Sequence, residues 1–260
     1  MSFRQIDFRY DTRLGTPNWI LKGFDLSIER GEFYVLLGPS GCGKTTALNL
    51  LAGFEHAHGG QLTVDGRPVT GPGVDRVVIF QGDDSLYGWL TAQENVEFGL
   101  KMAGVPVGER RQKAQQQLDF VGLGQQGHKF PSQLSGGMKQ RIQIARALVC
   151  NSPILLMDEP FAALDAQTRA ILQDELSSIQ QRTSSTVLFI THDIGEAIIL
   201  ADRIGIMRSG PGSSLKEEIE VDLPRPRRRG DPAFGRLYDR IHEILSEEVT
   251  RVLRREQANQ

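Results

Sequence analysis

Residues 38–46 read Gly-Pro-Ser-Gly-Cys-Gly-Lys-Thr-Thr, and this segment narrows the fold more than any other in the chain. Gly38, Gly43, Lys44 and Thr45 meet the pattern G-x-x-x-x-G-K-[ST], a loop whose backbone N–H groups turn inward on a polyphosphate. Such a loop needs a buried strand before it and a helix after it. Residues 34–37, Tyr-Val-Leu-Leu, supply the strand, and residues 47–52, Ala-Leu-Asn-Leu-Leu-Ala, supply the helix. The helix N-terminus adds partial positive charge at the phosphates. Lys44 is placed to reach the β- and γ-phosphates and the Thr45 hydroxyl to ligate Mg2+.

The rest of the chain alternates in the way such a loop requires. Residues 3–10 place Phe3, Ile6, Phe8 and Tyr10 as in a half-exposed strand. Further strands are predicted at 20–28, 33–37, 61–64 and 76–80, with Gly59-Gly60 and Asp65-Gly66 as turn signals around the third of these. From about residue 86 to residue 150 the pattern is helical. There Ala114, Leu118 and Val121 fall at helix spacing, and Gly122 and Gly124 act as stops. Two short, very apolar runs, 154–157 and 187–190, read as buried parallel strands. Together these predict an α/β fold with a parallel core sheet.

Composition excludes several classes. Hydrophobic residues make up 39% of the 260 and charged residues 24%, which suits a packed core. A net charge of −2 argues against nucleic-acid binding by charge. No apolar run approaches the roughly 20 residues of a membrane span, so any work at a membrane goes through a partner. Cys42 and Cys150 show neither metal-type spacing nor a disulfide framework, and no apolar signal region follows Met1. A reducing cytoplasm is the expectation.

The tail differs from what precedes it. Residues 224–229, Pro-Arg-Pro-Arg-Arg-Arg, read as a basic linker with solvated arginines. Beyond it Phe234, Leu237, Tyr238, Ile241, Ile244, Leu245, Val249 and Val252 recur at three and four residues, one amphipathic helix. That helix either packs on its own core or docks elsewhere.

Two segments add chemistry to the loop. Residues 154–159, Ile-Leu-Leu-Met-Asp-Glu, form a strand that ends in two carboxylates. Asp158 at the tip can hold Mg2+, while Glu159 points elsewhere and can polarise an attacking water, the two tasks of ATP hydrolysis. Residues 134–138, Leu-Ser-Gly-Gly-Met, open a helix at 139–148, where Ser135 and the two glycines offer a second anion site or an ordinary cap.

From Tyr10 to about Leu223 the chain resembles the ATPase subunit of an ABC transporter, with six motifs in order. Gly38 to Thr45 match Walker A; Gln81 matches the Q-loop glutamine; 134–138 match the signature, with Met138 where glutamine is commoner. Residues 155–159 match Walker B and its catalytic glutamate, Ala163-Leu-Asp165 the D-loop, and His192 the switch histidine. The resemblance implies a RecA-like P-loop NTPase core with an N-terminal antiparallel β-subdomain and an inserted helical subdomain. It also implies a head-to-tail homodimer with two ATP molecules between the subunits. ATP would contact Tyr10 by adenine stacking, Gly38, Pro39, Ser40, Gly41, Cys42, Gly43, Lys44, Thr45 and Thr46 in one subunit, and Ser135, Gly136 and Gly137 of the other. Core packing is the other reading of Tyr10. Glu159, His192 and Gln81 would be catalytic; Thr45, Gln81 and Asp158 would hold Mg2+; Asp165 would lie at the dimer seam.

A narrower likeness, to the nitrate, sulfonate and taurine importer ATPases, rests on Gly71-Pro-Gly73 before a strand, Leu134-Ser-Gly-Gly-Met-Lys-Gln-Arg141, Glu196-Ala197, Leu200-Ala-Asp-Arg203, Ser209-Gly-Pro-Gly212 and Asp222-Leu-Pro-Arg-Pro-Arg227. Gly88 and Gly195 depart from that group's pattern. The implied protein sits on the cytoplasmic face of the membrane as a peripheral subunit. It drives two transmembrane permease subunits and serves a periplasmic or lipid-anchored solute-binding protein. Residues 1–83 and 151–223 would form the nucleotide-binding core, 84–150 the helical subdomain and 224–260 the tail. Asp83 to Leu90 would line a permease groove, with Leu86, Tyr87, Trp89 and Leu90 either as its apolar contacts or as subdomain core. A soluble ATPase of the cluster-assembly type is the alternative. A repair-type ATPase is not, because only 53 residues (82 to 134) lie between Gln81 and Ser135, too few for a long coiled coil.

Overall fold

The computed structural model describes residues 1–10, 18–82 and 85–258, with side chains to Val252. Asp83, at the start of the expected groove segment, lies outside the described residues. Chain contacts divide the molecule into two compact units, Met1–Gly73 with Gln180–Gln260, and Val74–Ile179.

In the first unit, β1 (Ser2–Arg9), β2 (Trp19–Ser27), β4 (Gly59–Val64) and the two-residue β5 (Arg67–Pro68) form an antiparallel sheet in the order β2-β1-β4-β5. Phe3, Ile6 and Phe8 face its core. The three-residue step from Phe3 to Ile6 breaks strict alternation because the register shifts there. Gln5 adopts φ 51° and is held by Asp25, which accepts from its backbone N–H at 2.8 Å and also from its side-chain amide.

The same unit holds a second sheet. Strand β3 (Phe33–Leu37) lies between β8 (Thr186–Thr191) and β9 (Arg203–Met207), parallel to both, and β10 (Leu215–Glu220) closes the edge antiparallel to β9. Strands β3 and β8 are buried along their whole length, which accounts for their unbroken apolar runs. The helices of this unit are α1 (Lys44–Ala52), α6 (Ile194–Leu200) and the 27-residue α7 (Pro232–Ala258).

In the second unit, β6 (Arg76–Ile79) pairs parallel with β7 (Ile154–Asp158). Between them run α2 (Ala92–Met102), α3 (Val107–Phe120) and α4 (Gly136–Leu148), packed on one another through Val96, Leu118, Ile142 and Ala145 among others. Thr91 and Glu94 form a full capping box at the start of α2. Helix α5 (Ala166–Thr183) crosses the division between the units. Among the described residues no helix is long and apolar enough to cross a membrane.

The tail helix packs on its own unit. Phe234 and Ile241 are buried, and the fully buried Glu248 accepts from the Ser209 N–H at 2.8 Å and the Ser209 hydroxyl at 2.9 Å. Lys216 stands 3.1 Å from the same carboxylate. The expectation of a solvated arginine run holds for Arg228 and Arg229, which are exposed, and is corrected for the other two. Arg225 and Arg227 are both half-buried and donate to backbone carbonyls, because the carbonyls that end α6 need donors.

Candidate functional site

The phosphate loop leaves the C-terminal end of β3. Its last strand residue, Leu37, pairs with Thr191 of β8, so Gly38 and His192 emerge from the same end of two adjacent parallel strands. Ligands collect at that edge of an α/β sheet. Gly43 caps α1 with φ 94°, and a Cβ there would lie 2.9 Å from Leu21 Cδ2, so this position accepts only glycine. Lys44 is 7% exposed, and its ammonium donates to the carbonyls of Gly38 at 2.8 Å and Pro39 at 2.9 Å. The loop therefore folds around a cation whose present acceptors are neutral carbonyls, and phosphate oxygens are the stronger acceptors for it. Ser40, Gly41 and Thr45 are exposed, Pro39 is half-buried and Thr46 is buried. Cys42 is 1% exposed, and burial pushes its thiol pKa up. Tyr10, at the end of β1, is 45% exposed and stands perpendicular to Phe8 at 4.9 Å, so it is not a core tyrosine. His192 is exposed.

The second unit repeats the arrangement. Ile79 of β6 pairs with Met157 of β7, so Gln81 and the Asp158-Glu159 pair also leave neighbouring parallel strands at one end. Gln81 Nε2 donates to Glu159 Oε2 at 3.0 Å, joining residues 78 apart in sequence. Asp158 is buried at the strand tip. Glu159 has φ 47°, a left-handed conformation that costs a non-glycine residue about 1–3 kcal/mol and persists only when its surroundings enforce it.

Those surroundings come from α4. Ser135 caps that helix, accepting from the Met138 N–H at 3.3 Å. The buried Gln140 donates to the Glu159 carbonyl at 3.3 Å and accepts from the Ala163 N–H at 2.9 Å, fixing both ends of the turn between Walker B and the D-loop. Gly136 and Gly137 are half-buried, and a Cβ on Gly137 would sit 3.2 Å from the Ala163 carbonyl, so the signature and the D-loop approach closely. Asp165 accepts from the N–H groups of Thr168 at 2.9 Å and Gln167 at 3.1 Å, capping α5. The Thr168 N–H and hydroxyl hold its carboxyl below the ordinary range.

Sequence reasoning missed Gln140 and two further residues. Gln143 Nε2 donates to the Gly82 carbonyl at 2.8 Å, and Arg146 donates to the Ser85 carbonyl at 2.8 Å and hydroxyl at 2.9 Å. The signal was their spacing: positions 140, 143 and 146 share one face of a helix. Beyond Ser85 the buried Asn95 ties the turn at 87–91. Its side chain accepts from the Tyr87 N–H at 2.8 Å and donates to the carbonyls of Tyr87, Leu90 and Thr91 at 3.0–3.1 Å. Leu86 is buried, Tyr87 and Leu90 are half-buried, and Trp89 is 73% exposed. Trp89 borders a groove of about 540 Å³ lined also by Glu94, Glu97, Phe98, Lys101 and Arg110.

Among the described residues no cluster of three or more His, Cys, Asp or Glu could hold a metal. In the first unit the Thr45 hydroxyl, and in the second the Asp158 carboxylate and the Gln81 side chain, are oxygen donors of the hard type that Mg2+ takes.

Residues 21–162 match the family described as ABC transporter. The nitrate import ATP-binding protein NrtD of Synechococcus elongatus is 44% identical over 235 residues, covering 88% of this chain and 85% of that protein. The bicarbonate transport ATP-binding protein CmpC of the same organism is 45% identical over 240 residues, covering 90% of this chain; the match spans only 36% of that longer protein. The dimeric ATP-binding cassette MJ0796, solved in a post-hydrolysis state with ADP and Pi, superposes with a TM-score of 0.77 at 30% identity, covering 86% of this chain and 99% of that one.

Proposed function

The chain belongs to the ABC transporter family, and from that premise we propose that it is the ATP-hydrolysing subunit of an importer of a small anion such as nitrate, taurine or an alkanesulfonate. Nitrate and bicarbonate in the names of two relatives support a small oxyanion and weigh against a cluster-assembly ATPase. The observation that carries the reading is the Gln81–Glu159 hydrogen bond, which places an amide and a carboxylate together beside the buried Asp158.

In this reading Lys44 and the loop amides bind the polyphosphate, and Tyr10 stacks on adenine. Thr45, Asp158 and Gln81 would hold Mg2+, which would supply neutralisation of phosphate charge. Glu159 orients and deprotonates water, and His192 contacts the γ-phosphate. Ser135, Gly136 and Gly137 complete the site of a second copy, with Asp165 at the seam, so that ATP binding closes a homodimer. Trp89 and its groove receive the permease, which places the subunit on the inner face of the membrane and links it indirectly to a solute-binding protein. An exposed indole on a fixed turn suits a partner surface.

Glu159→Gln is expected to retain Mg·ATP binding and to slow hydrolysis by roughly 10²–10⁴-fold. With Mg·ATP the variant should elute as a dimer. Near-normal turnover, or a monomer at nucleotide concentrations far above its affinity, would refute the assignment.

A further inference from the structure

The tail linker grips a helix. At seven residues, α6 has few internal donors for its final carbonyls. The Arg227 guanidinium donates to the carbonyls of Ile198 at 2.8 Å, Ile199 at 3.4 Å and Ala201 at 2.5 Å, and also to Val221 at 2.9 Å and Leu223 at 3.0 Å. Arg225 donates to the Leu200 carbonyl at 2.6 Å and to Asp202 Oδ1 at 2.8 Å. Cations belong at this end of a helix. Burial, with the charge of Arg225 adding to it, lowers the Arg227 pKa to about 10, so the cap stays protonated at neutral pH.

The other end of α6 sets His192. Thr191 Oγ1 donates to Glu196 Oε2 at 2.7 Å and accepts the Asp193 N–H at 3.0 Å, while Asp193 Oδ1 accepts the Glu196 N–H at 3.0 Å. The residues on both sides of His192 are thus tied to the first turn of α6. Arg229 crosses that turn: a Cβ on Gly195 would fall 2.5 Å from its Nη1. All of these contacts lie within the first unit.

We propose that Arg225 and Arg227 are positioning residues for His192. By capping α6 from the tail they fix the helix, and with it the histidine at its entry, relative to the γ-phosphate. The proposal rests on the reading of the chain as an ATPase. It makes the tail part of the hydrolytic apparatus. The linker's other arginines need not take part.

The test uses the full chain. Arg227→Met should lower kcat about 10- to 100-fold and leave KM for ATP within about threefold, because misplacing a reacting group costs rate while the phosphate loop still binds. Arg227→Lys, which keeps the charge but reaches fewer carbonyls, should fall between. In a His192→Ala background, followed by single turnover, Arg227→Met should cost nothing further. Additive losses in the double variant, or an unchanged kcat in folded Arg227→Met, would overturn the proposal. Should Arg227→Met fail to fold, Arg225→Gln carries the same two readouts. An unsubstituted protein without Lys44-dependent turnover would sink the ATPase reading itself, a result distinct from active arginine variants.

Discussion

The segment from Ser85 to Thr91 and the linker from Pro224 to Arg229 reverse the usual rule of burial. The first is apolar and shows its largest side chain, Trp89, to solvent. The second is the most basic stretch of the tail and tucks two of its arginines against a helix end. In both cases backbone polar groups decide the outcome. Asn95 satisfies three carbonyls and an N–H of the 87–91 turn, which locks a conformation that holds the indole outward. The unpaired carbonyls of α6 draw guanidinium groups inward. Side-chain polarity predicts exposure only where the backbone already has its partners.

The largest effect expected from attacking this contrast is at Asn95. Asn95→Ala removes the side-chain partner of the Tyr87 N–H and the Leu90 carbonyl, while the Tyr87 and Thr91 carbonyls keep backbone donors, and should cost about 2–4 kcal/mol in urea unfolding. A loss under about 0.5 kcal/mol would mean that the turn stands without it. A smaller effect should come from the tail. Burial alone would raise the Glu248 pKa, but the Ser209 N–H and hydroxyl together with Lys216 outweigh it and hold the carboxyl below its ordinary 4.5. A pKa lowered by folding stabilises the protein above the unfolded value, and that stability is lost as pH falls through the folded value. Unfolding midpoints should therefore drop as pH falls from neutral to below 4.5, and Glu248→Gln should flatten that acid limb. An unchanged acid limb would show that the tail contributes no linked proton. The smallest stability effect is expected at Trp89, where alanine should change folding by less than about 0.5 kcal/mol, as for an exposed side chain. Co-purification with the permease should nevertheless be lost. A large drop in stability with normal assembly would reverse the contrast.

The parts of the chain that were legible in the sequence are those whose residues carry their own partners or their own burial. Strands β3, β7 and β8 carry apolar runs because both faces are covered, and the phosphate loop is marked by Gly41 and Gly43 at φ 76° and 94°, a backbone region that favours glycine. Strands β9 and β10 were missed. The first opens on Arg203, which is paired with Glu32 at 3.2 Å, and the second carries Lys216, Glu217 and Glu218, so ion pairing disguises both as loop. Helix α6 escaped because seven residues give barely two turns of periodicity. Gln140, Gln143 and Arg146 looked like ordinary polar positions on a helix. Their partners are backbone groups of distant segments, and a hydrogen bond to a carbonyl leaves no mark on the identity of the residue that owns it.

The Cys42 thiol gives the phosphate loop a chemical character of its own. It is almost wholly enclosed, and burial raises its pKa against the opposing pull of the Lys44 ammonium 3.9 Å away. Oxidants and electrophiles attack the thiolate. A sulfur set among the loop residues is thus a weaker target for oxidants and electrophiles than an exposed thiol of ordinary pKa.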